Sequence, residues 1–103
     1  MIKVSVFYPN GEGNTFDMAY YCDKHIPMVK QLLGAACTNV GVEQGVAGGA
    51  PGELPTYLAM GHLYFDNVED FITSFTPHAA AITADIANYT NTMPTVQISE
   101  IRI

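Results

Sequence analysis

Apolar and polar residues alternate from Ile2 to Tyr8, in Ile-Lys-Val-Ser-Val-Phe-Tyr, before Pro9-Asn10-Gly11 ends the pattern. A period of two in β-branched and aromatic residues, closed by turn formers, predicts a first strand. Beyond a polar Gly/Asn turn, Asn14 or Thr15 can cap a helix, with Asp17 placed near its positive end. Helical spacing then runs from about Phe16 to Leu33, interrupted at Pro27, with Gly34 as the stop. Thr38 to Val46, rich in Val and Gly, predicts a second strand. The segment Ala47 to Pro55 carries too much Gly and Pro for regular structure and predicts a long hairpin loop. Thr56 to Phe65 follows as a third strand.

A second helix opens at Asp66-Asn67-Val68-Glu69-Asp70, with Asn67 as cap and Asp70 three residues on. Thr76-Pro77 breaks and restarts it, because proline suits a first helical turn and not an interior one. The restarted piece carries His78 to Tyr89. Thr95 to Ile103 predicts a fourth strand, whose change of apolar phase between Ile98 and Ile101 suggests a bulge near Ser99. The order is β-α-β-β-α-β within one domain, residues 1–103. Right-handed crossovers turn that order into a ferredoxin-like α+β fold, a four-stranded antiparallel sheet with both helices on one face.

That arrangement leaves the other sheet face bare. In the third strand one face would carry Tyr57, Ala59, Gly61, Leu63 and Phe65, and the other Leu58, Met60, His62 and Tyr64. Both sets are largely apolar, and a sheet with two apolar faces needs two covers. Composition points the same way: 49% of the 103 residues are hydrophobic and only 14% charged, against roughly 25% charged in average soluble domains. A homodimer paired through its bare sheet faces is therefore expected.

Charge removes several partners. Ten acids face four bases, Lys3, Lys24, Lys30 and Arg102, for a net charge of −6. Such a field repels nucleic acid and anionic lipid alike. No apolar run approaches the roughly 20 residues that span a bilayer, and the N-terminus reads as a strand and not as a signal sequence. A cytoplasmic location is the default. Cys22 and Cys37 form no C-x-x-C pair and read as core thiols.

The first helix carries the candidate chemistry. At about 100° per residue, Met18, Tyr21, Cys22, His25, Val29 and Leu32 share one face, while Phe16 and Tyr20 fall with Asp23, Lys30 and Gln31 on the other. His25 thus sits mid-stripe among apolar neighbours and one phenol, Tyr21. Pro27 leaves the carbonyl of Asp23 without its helical partner and kinks the helix, which can shape a cavity. A buried imidazole tends to be neutral near pH 7 and can act as a general base; it can equally be a core histidine bonded to a carbonyl or to Tyr21. His62, mid-strand, points either to the helices or to a dimer partner. His78, at a helix start, is either a pocket-rim or a surface residue, and Asp85, two turns on, is too far to contact it. His25 and Tyr21 form the candidate catalytic pair. Met18, Cys22, Val29, His62, Tyr64 and His78 form the candidate ligand-binding set. Three histidines without an acid at ligand spacing argue against a metal. No nucleophile elbow, phosphate loop or dinucleotide fingerprint is present, so no cofactor is expected.

Tyr20-Tyr21-Cys22-Asp23-Lys24-His25-Ile26-Pro27 resembles the EthD family, named for ethyl tert-butyl ether degradation, within the dimeric α+β barrel superfamily. The likeness continues through Gly45 to Gly49, Gly61 to Asp66, Glu69-Asp70-Phe71, Ala84 to Asn91 and Pro94 to Glu100. The resemblance implies a ferredoxin-like fold dimerising through its sheets. It also implies a ligand between helices and sheet and a histidine that moves protons, and His25 matches the motif histidine. Relatives include cofactor-free oxygenases, cyclases, dehydratases and lactone isomerases. Two functions follow as expectations. One is a cofactor-independent oxidoreductase, isomerase or lyase using His25 on a small apolar or aromatic metabolite. The other is a catalytically silent dimeric binding module in xenobiotic or secondary-metabolite degradation.

Overall fold

The computed structural model describes residues 1–103. Its strands are β1 (Ile2–Pro9), β2 (Asn39–Gln44), β3 (Tyr57–Phe65) and β4 (Thr95–Glu100). They form one four-stranded sheet in the order β2-β3-β1-β4, antiparallel throughout. Between β1 and β2 the chain runs through α1 (Met18–Tyr20), a π-helical turn (Tyr21–His25) and α2 (Ile26–Leu33). Between β3 and β4 it runs through α3 (Val68–Phe75), a 3₁₀ turn (Thr76–His78) and α4 (Ala79–Asp85). Both helical stretches send apolar side chains onto one face of the sheet. Val29 and Leu33 of α2 and Ile82 of α4 pack with Ile2, Val4, Leu63 and Phe65. Each such side chain, fully buried, contributes about 1.5–3 kcal/mol. The fold is the ferredoxin-like α+β arrangement that the order of elements predicts.

The helix starts are set by short polar side chains. Asp17, not Asn14 or Thr15, caps α1 by accepting from the Tyr20 N–H at 3.0 Å. Asn67 caps α3 as its sequence suggests, accepting from the Asp70 N–H at 2.8 Å. At Thr76-Pro77 the backbone tightens to a 3₁₀ turn and restarts as α4.

Pro27 acts on the turn before it. Its ring would collide with the carbonyl four residues back, and it has no N–H to give. The chain answers by widening the turn, so that the Ile26 N–H bonds the Tyr21 carbonyl five residues earlier. The extra residue rotates everything that follows by about 100°. Burial accordingly falls on Tyr21, His25, Ile26, Val29 and Leu33, while Cys22 is exposed and Leu32 only half-buried. The inward stripe read from uniform helical spacing is corrected at Cys22 and Leu32. Of the two thiols, only Cys37 lies in the core.

The expected bulge near Ser99 is absent. The β1–β4 register runs unbroken from Ile2 opposite Glu100 to Phe7 opposite Thr95, and Ile101 lies beyond the strand. The irregularity sits instead at Tyr8/Pro9, where Tyr57 opposes Pro9. That shift turns Tyr57 away from the face of Ala59, and its ring stacks on Phe7 at 5.0 Å. The bare sheet face therefore carries Phe7, Tyr57, Met60 and Tyr64 together with Lys3, Ser5, Glu43, His62 and Gln97. It is more polar than the third strand alone suggests.

On the helix face, Gly61 lies directly under the Tyr21 ring, and a Cβ at position 61 would collide with the Tyr21 hydroxyl. We expect Gly61→Ala to destabilise the fold by about 1–3 kcal/mol, the usual cost of overpacking a core. Gly49→Ala, where an added Cβ meets nothing within 4 Å, is the matched control. Urea unfolding of the pair checks the difference; equal midpoints would contradict the close approach.

Candidate functional site

Three phenols and an imidazole meet where the π turn, β1 and the end of the second helical stretch converge. Tyr8 comes from β1, Tyr21 and His25 from the π turn, and Tyr89 from the residue after the closing turn (Ile86–Asn88). The widened turn matters here, because it adds Ile26 to the face that carries Tyr21 and His25. The Tyr21 ring stacks on the imidazole at 5.4 Å and 14°, and the Tyr89 ring covers it at 4.6 Å and 54°. His25 is 4% exposed.

A buried polar group must find a partner inside the protein. His25 Nδ1 lies 2.8 Å from Asp85 Oδ2. The other Asp85 oxygen accepts from the Tyr20 hydroxyl at 2.7 Å and the Asn88 amide at 2.9 Å. On the far side of the imidazole, Nε2 lies 3.4 Å from the Tyr89 hydroxyl, which is 2.6 Å from that of Tyr8. Burial alone would raise the Asp85 pKa, but the hydrogen bonds from Asn88, Tyr20 and His25 outweigh it and hold the carboxyl below its ordinary value. Asp85 is then an anion near pH 7 and can only accept, so the Nδ1 proton belongs to His25. His25 itself is held below its ordinary value by burial, against the opposing hydrogen bond and charge of Asp85. Burial pushes the Tyr8, Tyr21 and Tyr89 phenols up. The resting site is a neutral imidazole oriented by a carboxylate, among neutral phenols.

Tyr8, Tyr21 and His25 form one wall of a cavity of about 340 Å³ between sheet and helices. Val4, Val6 and Leu63 form its floor, Ile26, Val29, Phe71, Phe75, Ile82 and Ile86 its roof. It reaches the surface beside Met93 and Val96, which are 74% and 55% exposed. Beyond Tyr8, Tyr21, His25 and Thr83 the lining offers no side-chain polar group, and no lysine, arginine or carboxylate.

The cavity brings together His25, Tyr21 and Val29 from the expected set and leaves out the rest. Met18 packs against the tyrosine cluster from outside the cavity, and Cys22 is exposed, its thiol 3.6 Å from the Met18 sulfur. His78 is half-buried at the start of α4, away from the cavity lining. His62 and Tyr64 point to the opposite sheet face. There His62 Nδ1 meets the Ser5 hydroxyl at 2.9 Å and Nε2 meets Glu43 at 2.7 Å. Both nitrogens of His62 are thus engaged in a pin across β1, β3 and β2, and neither faces the cavity. The members of the site that escaped sequence reasoning are Tyr8, Tyr20, Asp85, Asn88 and Tyr89. Tyr20 reaches Asp85 because α1 precedes the widened turn. The signal for Asp85, Asn88 and Tyr89 was their spacing at i, i+3 and i+4, which puts a carboxylate, an amide and a phenol on one side of a helical end.

A ferredoxin-like sheet, with a buried histidine paired to a half-buried aspartate beside an apolar cavity, defines the class of protein. The EthD domain model matches residues 11–93, and the chain belongs to the EthD family. A solved EthD-like protein from Ralstonia eutropha JMP134 is 50% identical, with 99% of this chain and 92% of that one covered and a TM-score of 0.95. An ethyl tert-butyl ether degradation (EthD) family protein from Bacillus halodurans C-125 is 20% identical over 98% of each chain, TM-score 0.73. A Bacteroides fragilis NCTC 9343 protein, described as dimeric, of unknown function and ferredoxin-like, is 17% identical over 97% of this chain and 95% of its own, TM-score 0.58. The last two speak to the fold alone. No curated protein matches the sequence significantly. No helix is long and apolar enough to cross a membrane.

The state of His25 has a consequence for stability. Its folded pKa lies below the ordinary 6.5, so as pH falls the unfolded chain takes up the proton first and gains relative to the folded one. The contribution of a neutral His25 is present above about pH 6.5 and is lost as pH drops below it. Melting temperature measured from pH 8 down to pH 5 should fall for the wild type and fall less for His25→Gln. Parallel curves would show that His25 titrates alike in both states.

Proposed function

We propose that this protein binds a small, uncharged, apolar or aromatic metabolite between helices and sheet and moves a proton on it with His25. The observation that carries the reading is His25, held from behind by Asp85, at the wall of a mostly apolar cavity. A cavity of about 340 Å³ falls within the usual range for ligand sites. At about 30 Å³ per water-sized volume it holds on the order of ten non-hydrogen atoms. With no cation in the lining, a carboxylate or phosphate substrate would stay unpaired on burial, a costly state. A phenol, enolisable ketone, lactone or ether suits the lining, with its one polar atom at the phenol–imidazole end. A neutral imidazole fixed by a carboxylate is an effective general base, and as imidazolium it returns the proton. The step requires no cofactor. Tyr21 flanks the imidazole and narrows the cavity above Gly61.

A catalytically silent binding module is the second reading. It is favoured by the completeness of the internal hydrogen bonding, since no fully buried side-chain polar atom lacks a partner. In either case we propose a homodimer closed through the bare sheet face. Support comes from Phe7, Tyr57, Met60 and Tyr64 on that face and from the dimeric description of the Bacteroides fragilis relative of the same fold.

A thermal-shift screen of phenols, quinones, lactones and ethers on wild type and His25→Ala separates the readings, because an excess ligand stabilises only the state it binds. Stabilising compounds then enter a turnover assay. Catalysis predicts that His25→Ala lowers turnover by about 10² to 10⁴ while remaining folded. Recovery of unchanged ligand from the wild type supports the binding module, and undiminished turnover in His25→Ala removes the histidine from the mechanism.

A further inference from the structure

A neutral imidazole has one lone pair, and in His25 that lone pair is already taken. Asp85 accepts the Nδ1 proton at 2.8 Å, so the lone pair sits on Nε2, facing the Tyr89 hydroxyl at 3.4 Å. Tyr89 therefore donates to His25, and its oxygen accepts from Tyr8 at 2.6 Å. The rings of Tyr21 and Tyr89 both lie against the imidazole, at 5.4 Å and 4.6 Å, and against each other at 5.0 Å. A ligand that takes the Nε2 lone pair must first displace the Tyr89 hydroxyl from it. Tyr8, however, lines the cavity, and Tyr89 does not.

We propose that Tyr8 is the group that exchanges a proton with the ligand, and that His25 acts on it through the chain Tyr8–Tyr89–His25. The inference rests on the reading of the cavity as a ligand site. The ligand's acidic C–H or O–H bond breaks, its electron pair staying on the ligand as an enolate or phenolate. The released proton bonds to the Tyr8 oxygen, the Tyr8 proton passes to Tyr89, and the Tyr89 proton passes to His25 Nε2. The net change is one ligand anion and one imidazolium, the latter paired with Asp85. Reprotonation runs the chain in reverse, and no oxidant or reductant is consumed. The high phenol pKa values fit this role, since neither tyrosine holds a lasting charge and each gives a proton as it takes one. The 3.4 Å step is long for a transfer, but hydrogen bonds in unliganded sites often tighten only when ligand is bound.

The chain can be read without knowing the natural substrate, using β-naphthol, a neutral bicyclic phenol of suitable size, as probe. Isotope-labelled protein is titrated while the Tyr8 Cζ and His25 Nε2 resonances are followed in wild type, Tyr89→Phe and Tyr8→Phe. The relay predicts that both resonances move together in the wild type. It predicts that in Tyr89→Phe only Tyr8 responds, and that in Tyr8→Phe the Nε2 response is lost. A purely structural tyrosine would not uncouple the two signals. Should Tyr89→Phe fail to fold, Tyr8→Phe decides alone. A full Nε2 response in either variant, or a wild-type Nε2 response without one at Tyr8, overturns the relay and leaves direct contact with His25. If β-naphthol moves neither resonance in the wild type, the phenol-binding cavity itself is wrong and the relay falls with it.

Discussion

An imidazole 4% exposed to solvent must satisfy both ring nitrogens within the protein, and much of the site can be traced to how His25 does so. A lone buried histidine would lose hydrogen bonds to water on each side, at about 1–3 kcal/mol apiece. Asp85 and Tyr89 supply the partners, and both come from the end of the second helical stretch, some 60 residues along the chain. Each partner then raises the same requirement again. Asp85 is completed by Tyr20 and Asn88, and Tyr89 by Tyr8. The network therefore ties the first helical stretch, the second and β1 into one unit, and its polarity runs in one direction, toward the carboxylate.

Pro27 stands upstream of this arrangement. By forbidding an ordinary turn it makes the turn that starts at the Tyr21 carbonyl close on the Ile26 N–H instead of His25, the sort of π-helical irregularity often found at functional sites. The wider turn adds Ile26 to the face where the Tyr21 and His25 rings stack on each other, while Cys22 is left exposed. Gly61 completes the fit from the sheet side, since only a residue without Cβ leaves room for the Tyr21 hydroxyl. Proline and glycine, often read merely as punctuation, here decide which side chains line the cavity.

The periodicities carried most of the fold. Alternation in β1 and β3, caps at Asn67 and the break at Thr76-Pro77 were readable because each rests on contacts within a few residues. His25, Tyr21 and Val29 were readable too, being set by a single turn of helix. What escaped depends on long-range geometry or on irregular backbone. Asp85 and Tyr89 reach His25 only after two helical stretches are laid on the sheet, so no local spacing reveals the pairing. The phase error at Cys22 and Leu32 arose because a uniform 100° rotation cannot describe a widened turn. His62 and Tyr64 fell on the face away from the cavity, an ambiguity that alternation leaves open when both faces carry apolar residues.

The central claim is that His25 is a neutral base near pH 7, with its proton fixed on Nδ1 by Asp85. Long-range proton–nitrogen correlation of the His25 imidazole at neutral pH reads this directly. The account predicts one protonated nitrogen, Nδ1, and one bare nitrogen, Nε2, with the preference for Nδ1–H lost in Asp85→Asn. A proton on Nε2 at neutral pH, as the other tautomer or as imidazolium, would contradict it.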